Sequence, residues 1–306
     1  MATLSHDPSW PRAGNWPPPA ANTLYDAVIV GVPIHKTSLS PTNAHTTPDA
    51  IRGALPRYSL SFVQDGSADS WSHQDLTALA IADAGNIDNP DSDQAGAIAS
   101  LKTAAATAGV LIALGGDNSV TALVGQATLG EHISRAGLIT LDAHFDLRDG
   151  HSNGSPVREL LDAGLPGQHI AQVGIADFAN SDTYAKRAKD AGITVIPRDA
   201  LHGDGLDQAA TKALAVAGAG GGSIHLDIDV DVCDRSVAPA TPASIPGGLA
   251  AWELRRLVRR FAEDPRVVSF DITEIDATTD TEDERTIRLA ALLVLEILAG
   301  VSSRDS

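Results

Sequence analysis

Leu138-Ile139-Thr140-Leu141-Asp142-Ala143-His144-Phe145-Asp146 is an apolar, β-branched run that passes directly into Asp-Ala-His-x-Asp. Its first four residues read as a buried strand. Two carboxylates and an imidazole crowded behind that strand cannot be buried without a partner charge, because taking an ionised carboxylate out of water is costly. A divalent cation is the simplest partner. On a strand that continues into a loop, Asp142, His144 and Asp146 share one side by the two-residue alternation, so all three can face one point.

Moving outward, three more apolar segments end in polar clusters. Val110 to Leu114 closes with Gly115-Gly116-Asp117-Asn118-Ser119, and Ser269-Phe270-Asp271-Ile272-Thr273-Glu274 ends on a carboxylate. The third is His225-Leu226-Asp227-Ile228-Asp229-Val230-Asp231-Val232-Cys233-Asp234. Asp227, Asp229 and Asp231 fall on the same side of an extended chain. A helix-loop-helix calcium site is excluded, since the sixth position is Val232 rather than Gly and the twelfth is Ala238 rather than Glu. A carboxylate-rich set with one imidazole favours a hard to borderline cation such as Mn²⁺ over thiolate-bound zinc. Cys233 reads as packing.

The spacing between these segments predicts strands alternating with helices. Strands are expected at Ala27 to Pro33, Thr77 to Asp83, Val110 to Leu114, Ile170 to Ile175, Thr194 to Ile196, Ser223 to Val230 and Val267 to Ile272. Helices are expected from Thr47-Pro48 to Leu55, over Ala95 to Gly109, after Val120, over Tyr184 to Ala191 and Asp207 to Ala217, after Ala250 and after Thr286. Such alternation predicts a mainly parallel sheet with helices on both faces, in a single domain from residue 23 to 306. Residues 1 to 22, with Trp10, Trp16 and Pro17-Pro18-Pro19, read as an arm without regular structure. In such sheets ligands bind outside the carboxyl ends of the strands, where all four polar clusters fall.

A chain of 306 residues with 43% hydrophobic content can bury a substantial core, yet only 4% is aromatic, so that core rests on Ala, Val, Leu and Ile. The formal net charge of −17 argues against nucleic acid and anionic membranes as partners. One cysteine fits a reducing compartment. Neither a basic-then-apolar leader nor a membrane span is visible, because the apolar run Leu289 to Ala299 is short and broken by Glu296. A cytoplasmic location is expected.

In this order, Gly-Gly-Asp-x-Ser, Asp-Ala-His-x-Asp, Asp229-x-Asp231-x-x-Asp234, Pro239-Ala240, Pro246-Gly247-Gly248-Leu249, the Glu274 segment and Thr286-x-Arg288-Leu289-Ala290 resemble the ureohydrolases. These are the arginase, agmatinase and formimidoylglutamase family, and the similarity runs from about Ala27 to Val301. The resemblance implies an arginase-like three-layer α/β/α sandwich, a homo-oligomer and two Mn²⁺ ions. It implies that Asp142 and Asp229 bridge the ions, Asp146 binds the first, and His144 and Asp231 bind the second. Glu274 then holds the cationic guanidino or formimino group, and Asp146 accepts and passes on a proton.

Two departures bear on activity. Asn118 stands where the family usually has a histidine ligand to the first ion. An amide oxygen is the weaker donor, so the resemblance implies a first site that is weak, differently filled or empty. Asn153 stands where arginases and agmatinases carry a proton-shuttling histidine, and Gly154-Ser155-Pro156-Val157-Arg158 resembles the formimidoylglutamase pattern. Asn153, Ser155 and Arg158 are therefore expected to face substrate, with Arg158 pairing a carboxylate through its planar fork. His151 reads as a solvated loop residue or a substitute shuttle. The expected reaction is hydrolysis of N-formimidoyl-L-glutamate to L-glutamate and formamide. The alternatives are a urea-releasing guanidino hydrolase and a non-catalytic binding protein of the same fold.

Overall fold

The computed structural model describes residues 7–67, 70–203 and 205–304. The strands are β1 (Tyr25–Val32), β2 (Ser61–Ser67), β3 (Ser70–Asp75), β4 (Ile81–Asn86), β5 (Ala108–Gly115), β6 (Gly137–Leu141), β7 (Ile170–Ile175), β8 (Thr194–Pro197), β9 (Ile224–Asp229) and β10 (Val267–Thr273). The helices are α1 (Thr47–Ala54), α2 (Gln94–Ala105), α3 (Val120–Leu129), α4 (Pro156–Asp162), α5 (Asp182–Ala191), α6 (Gly205–Ala217), α7 (Ala251–Ala262) and α8 (Arg285–Ser302). Eight strands form one sheet in the order β4-β1-β5-β10-β9-β6-β7-β8, and each neighbouring pair is parallel. Helices cover both faces, giving an α/β/α sandwich.

Strand alternation decides what each face buries. Ile29, Ile112, Ile139, Leu226, Ile228, Phe270 and Ile272 point to the side that packs α7 and α8. On α7 the apolar positions Leu254, Leu257, Val258 and Phe261 follow helical spacing and are buried. Each such side chain contributes about 1.5–3 kcal/mol relative to exposure. The other side of α7 carries Arg255 and Arg259, which both grip the buried Glu296 of α8. The opposite sheet face is smaller in its apolar content and holds a polar stripe. His225 pairs across the sheet with Ser269, Asp227 with Asp271 and Asp229 with Thr273. His225 hydrogen-bonds Ser269 Oγ and Asp271, and Thr128 of α3 reaches Ser269 from above.

Three local expectations change. The strand expected at Thr77 to Asp83 begins only at Ile81, because Leu76–Ala78 forms one 3-10 turn whose first residue is preceded by the Asp75 carboxylate accepting from Thr77 N–H. The helix expected to run to Gly109 ends at Ala105, and β5 starts at Ala108, since the sheet claims Ala108 and Val110 through pairing with β1. The β2–β3 hairpin was not expected, for its polar sequence lacks a buried alternation. Of the arm, residues 1–6 lie outside the described residues. Residues 7–22 contain no helix or strand, but Ala13 is buried and Pro17 accepts from Asp83 N–H, covering the edge strand β4.

Candidate active site

The four polar clusters end β5, β10, β9 and β6, which are adjacent in the sheet. Sequence-distant carboxylates thus converge because their strands are neighbours. At the end of β5 two glycines make this possible. A Cβ on Gly116 would lie 1.8 Å from the Ile34 carbonyl oxygen, and one on Gly115 would lie 2.8 Å from that of Ile272. Asp117 then braces the turn by accepting from Ser119 N–H and from the Thr37 hydroxyl. Asn118 faces inward.

Asp142, His144 and Asp231 offer ligand atoms that all lie within 4.8 Å of one another. The imidazole Nδ1 is 2.9 Å from Asp231 Oδ2 and 3.5 Å from Asp142 Oδ1. Burial works against a charged imidazole, but the Asp231 and Asp142 carboxylates outweigh it and push His144 up to about 12. Burial likewise works against an ionised Asp231. The His144 charge, together with hydrogen bonds from His144 and Ala143 N–H, overrides it and holds Asp231 below the usual range. Asp142 is pushed up to about 6, chiefly by burial.

Asn118, Asp146, Asp229 and Glu274 form the other side of the rim. Asp146 Oδ2 accepts from the Asn118 amide at 2.5 Å, and Asn118 Oδ1 accepts from the Thr121 and Thr273 hydroxyls at 2.9 and 2.8 Å. Glu274 Oε1 accepts from Asn118 N–H at 2.7 Å and from the Asn153 amide at 2.8 Å. Burial first, and neighbouring carboxylates second, push Asp146 and Asp229 well above their ordinary values and Glu274 up to about 8. Asp146 and Glu274 both hold positive φ, at 52° and 64°. Non-glycine residues in that region are strained by roughly 1–3 kcal/mol, a cost tolerated where a side chain must be aimed.

The donor set suits a hard or borderline cation. It is oxygen-rich with one imidazole, and the buried Asp142 Oδ2 has no hydrogen-bond partner among the described residues. Cys233 is buried and its thiol is pushed up to about 12, mainly by burial, so it is not a thiolate donor.

A cleft of about 440 Å³ opens over this rim, lined by His144, Asp146, Asp229, Asp231, Glu274 and Asn153 among others. It falls in the size range of small-molecule sites. Ser155 and Arg158 do not line it. Ser155 is fully buried, with Oγ accepting from Ser152 N–H and lying 2.7 Å from Glu159 Oε1. Arg158 spends its fork on the Arg148 and Gly150 carbonyls and on Asp162, because α4 carries it along the outside of the loop. His151 binds Glu159 and Gln94 instead of the rim. Arg148 and Tyr184 do line the cleft and were not anticipated. The alternation that joins His144 to Asp146 extends to Arg148 and signals the first, whereas Tyr184 arrives from α5 with no sequence signal.

The comparisons agree with this geometry. Residues 25–300 match the model of the arginase family. A formimidoylglutamase of Bacillus subtilis (strain 168) is 34% identical over 287 residues, covering 89% of this chain and 86% of that protein. The crystal structure of formimidoylglutamase from Bacillus subtilis subsp. subtilis str. 168 superposes with a TM-score of 0.89 at 29% identity, covering 100% of this chain and 96% of that one. Trypanosoma cruzi formiminoglutamase with Mn²⁺ shares the fold at a TM-score of 0.81 and 22% identity, covering 92% and 95%. Sheet order, rim and similarity all converge, and the chain belongs to the arginase family.

Proposed function

We propose that the protein hydrolyses N-formimidoyl-L-glutamate to L-glutamate and formamide. The observation that carries this reading is Glu274, a buried carboxylate aimed into the cleft beside the Asp142, His144 and Asp231 group and pinned by Asn118 and Asn153. Similarity to proteins named formimidoylglutamase supports the substrate.

Two Mn²⁺ ions would be held by Asp142 and Asp229 jointly, by Asp146 on one side and by His144 and Asp231 on the other. When bound, they supply water activated for attack near neutral pH. Glu274 orients the formimino group by its charge, presenting the planar carbon to that water. As the water oxygen bonds to this carbon, Asp146 accepts a proton and passes it to the glutamate nitrogen, and the C–N bond breaks. Asn118 donates to Asp146 and Glu274 at once, so it fixes the distance between the proton carrier and the cation holder. The site stands in a chain with no helix among the described residues long and apolar enough to cross a membrane. A cytoplasmic homo-oligomer remains part of this reading.

Product analysis with Mn²⁺-loaded protein tests it. Formamide from N-formimidoyl-L-glutamate is expected. Urea from agmatine or arginine instead would replace the reading with a guanidino hydrolase, and no turnover of any of them would favour the non-catalytic alternative.

A further inference from the structure

The cleft poses an electrostatic problem for the substrate just proposed. Its floor carries Asp146, Asp229, Asp231 and Glu274, and the whole chain bears a net charge of −17. Such a surface attracts cations and repels a molecule carrying two carboxylates. With the floor carboxylates given to metal and Glu274 to the formimino cation, the two substrate carboxylates still need a cation of their own at the mouth.

Arg148 occupies that place. It is the single Arg or Lys among the described residues that line the cleft. Its arginine neighbours are already committed. Arg158 is paired with Asp162, and Arg187 is paired with Asp149 at 2.9 Å. No carboxylate among the described residues stands within ion-pair distance of the Arg148 guanidinium, which instead lies over the Tyr184 ring at 5.8 Å from its centroid. A guanidinium resting on an aromatic face keeps its in-plane N–H groups available for a carboxylate fork. The stem is seated too. It runs across Gly154, where a Cβ would come within 2.7 Å of Arg148 Cδ. The backbone is fixed by Arg148 N–H donating to the Gly154 carbonyl and by Arg158 donating to the Arg148 carbonyl.

We infer that Arg148 is a specificity-determining residue whose guanidinium holds a carboxylate on the amine side of the scissile C–N bond. The inference rests on the amidine-hydrolase reading for its substrate, and assigns to Arg148 the anion contact that sequence pattern had suggested for Arg158. With Glu274 holding the cationic end, the two groups would set the direction in which the substrate lies.

The test compares N-formimidoyl-L-glutamate with N-formimidoyl-propylamine, the same chain without carboxylates, in Mn²⁺-loaded protein. In Arg148→Ala the ratio of the two kcat/KM values is expected to shift toward the carboxylate-free compound by about 10- to 100-fold, through KM. Arg148→Lys should restore part of the preference, since it returns the charge without the fork. Gly154→Ala, which displaces the arginine but keeps its charge, should shift the ratio in the same direction by less. An unaltered ratio in Arg148→Ala overturns the inference. Should wild-type protein turn over neither compound, the formimidoyl-hydrolase reading fails, and calorimetric binding of L-glutamate decides for Arg148 alone. Binding by wild type that Arg148→Ala loses supports the anion contact, and absence of binding to wild type overturns it.

Discussion

The two sides of the acidic rim are both built on buried carboxylates and differ in whether an imidazole stands among them. On the side of Asp142, His144 and Asp231, an imidazole stands among the carboxylates and Asp231 is held ionised. On the side of Asn118, Asp146, Asp229 and Glu274 there is no cationic side chain, and the three carboxyls are all pushed up. Burial is nearly equal on the two sides, with Asp231 1% and Asp229 2% exposed. The difference therefore comes from one neighbouring charge rather than from depth. One side is partly neutralised within the chain, and the other calls for protons, metal or a cationic substrate group.

Glu274→Gln should produce the largest effect, because it removes the charge that faces the substrate cation while keeping the side chain's shape. A loss of about 10³-fold in kcat/KM is expected, the order found when one partner of a buried charged contact is removed. The same change relieves carboxylate repulsion on the deficient side, so the metal-free variant should melt at a higher temperature than the parent. Steady-state kinetics and thermal denaturation read the two effects separately. A variant that loses activity and also melts lower would break the contrast drawn between the two sides.

Asn118→His sharpens the comparison by giving the second side its own imidazole. Metal retention there should rise by about 10- to 100-fold, since an imidazole ligand replaces an amide. Metal-to-protein ratios after dialysis against graded chelator read this directly. Retention equal to wild type would mean that Asn118 acts only by hydrogen-bonding Asp146 and Glu274.

These contrasts were unevenly legible in the chain. The convergence was readable, because each carboxylate cluster follows an apolar run and a parallel sheet gathers such ends on one rim. That Asp142 and Asp231 meet at His144 follows from β6 and β9 being neighbours, which alternation alone does not give. Asn118 drew notice as a poor ligand, yet its bonds to Asp146, Glu274, Thr121 and Thr273 depend on side-chain geometry that no spacing encodes. Arg158 shows the converse. Its motif suggested an anion contact, but its position on α4 turns it toward Asp162 and the loop carbonyls. Arg148 was within reach of the two-residue rule and was passed over.

The smallest expected effect is a slope of stability with pH. Glu274 rises from an ordinary 4.5 to about 8 on folding, and Asp142 from 3.8 to about 6. A group whose folded value is raised contributes stability that is complete below its unfolded value and is lost as pH climbs through the folded value. His144, raised from 6.5 to about 12, acts in the same sense above neutrality. Asp231, held low, contributes the opposite way, but only as pH falls below its ordinary 3.8. Metal-free protein should therefore lose on the order of a few kcal/mol between about pH 5 and about pH 8. Metal ligation needs deprotonated ligands, so the gain in melting temperature on adding Mn²⁺ should grow across that interval. Melting curves of chelator-treated and Mn²⁺-loaded protein measure both slopes. Glu274→Gln should flatten the metal-free slope by removing one of the titration steps that span this interval. A metal-free melting temperature that rises with pH would show that a cation already present in the chain compensates the second side, and the contrast would be lost.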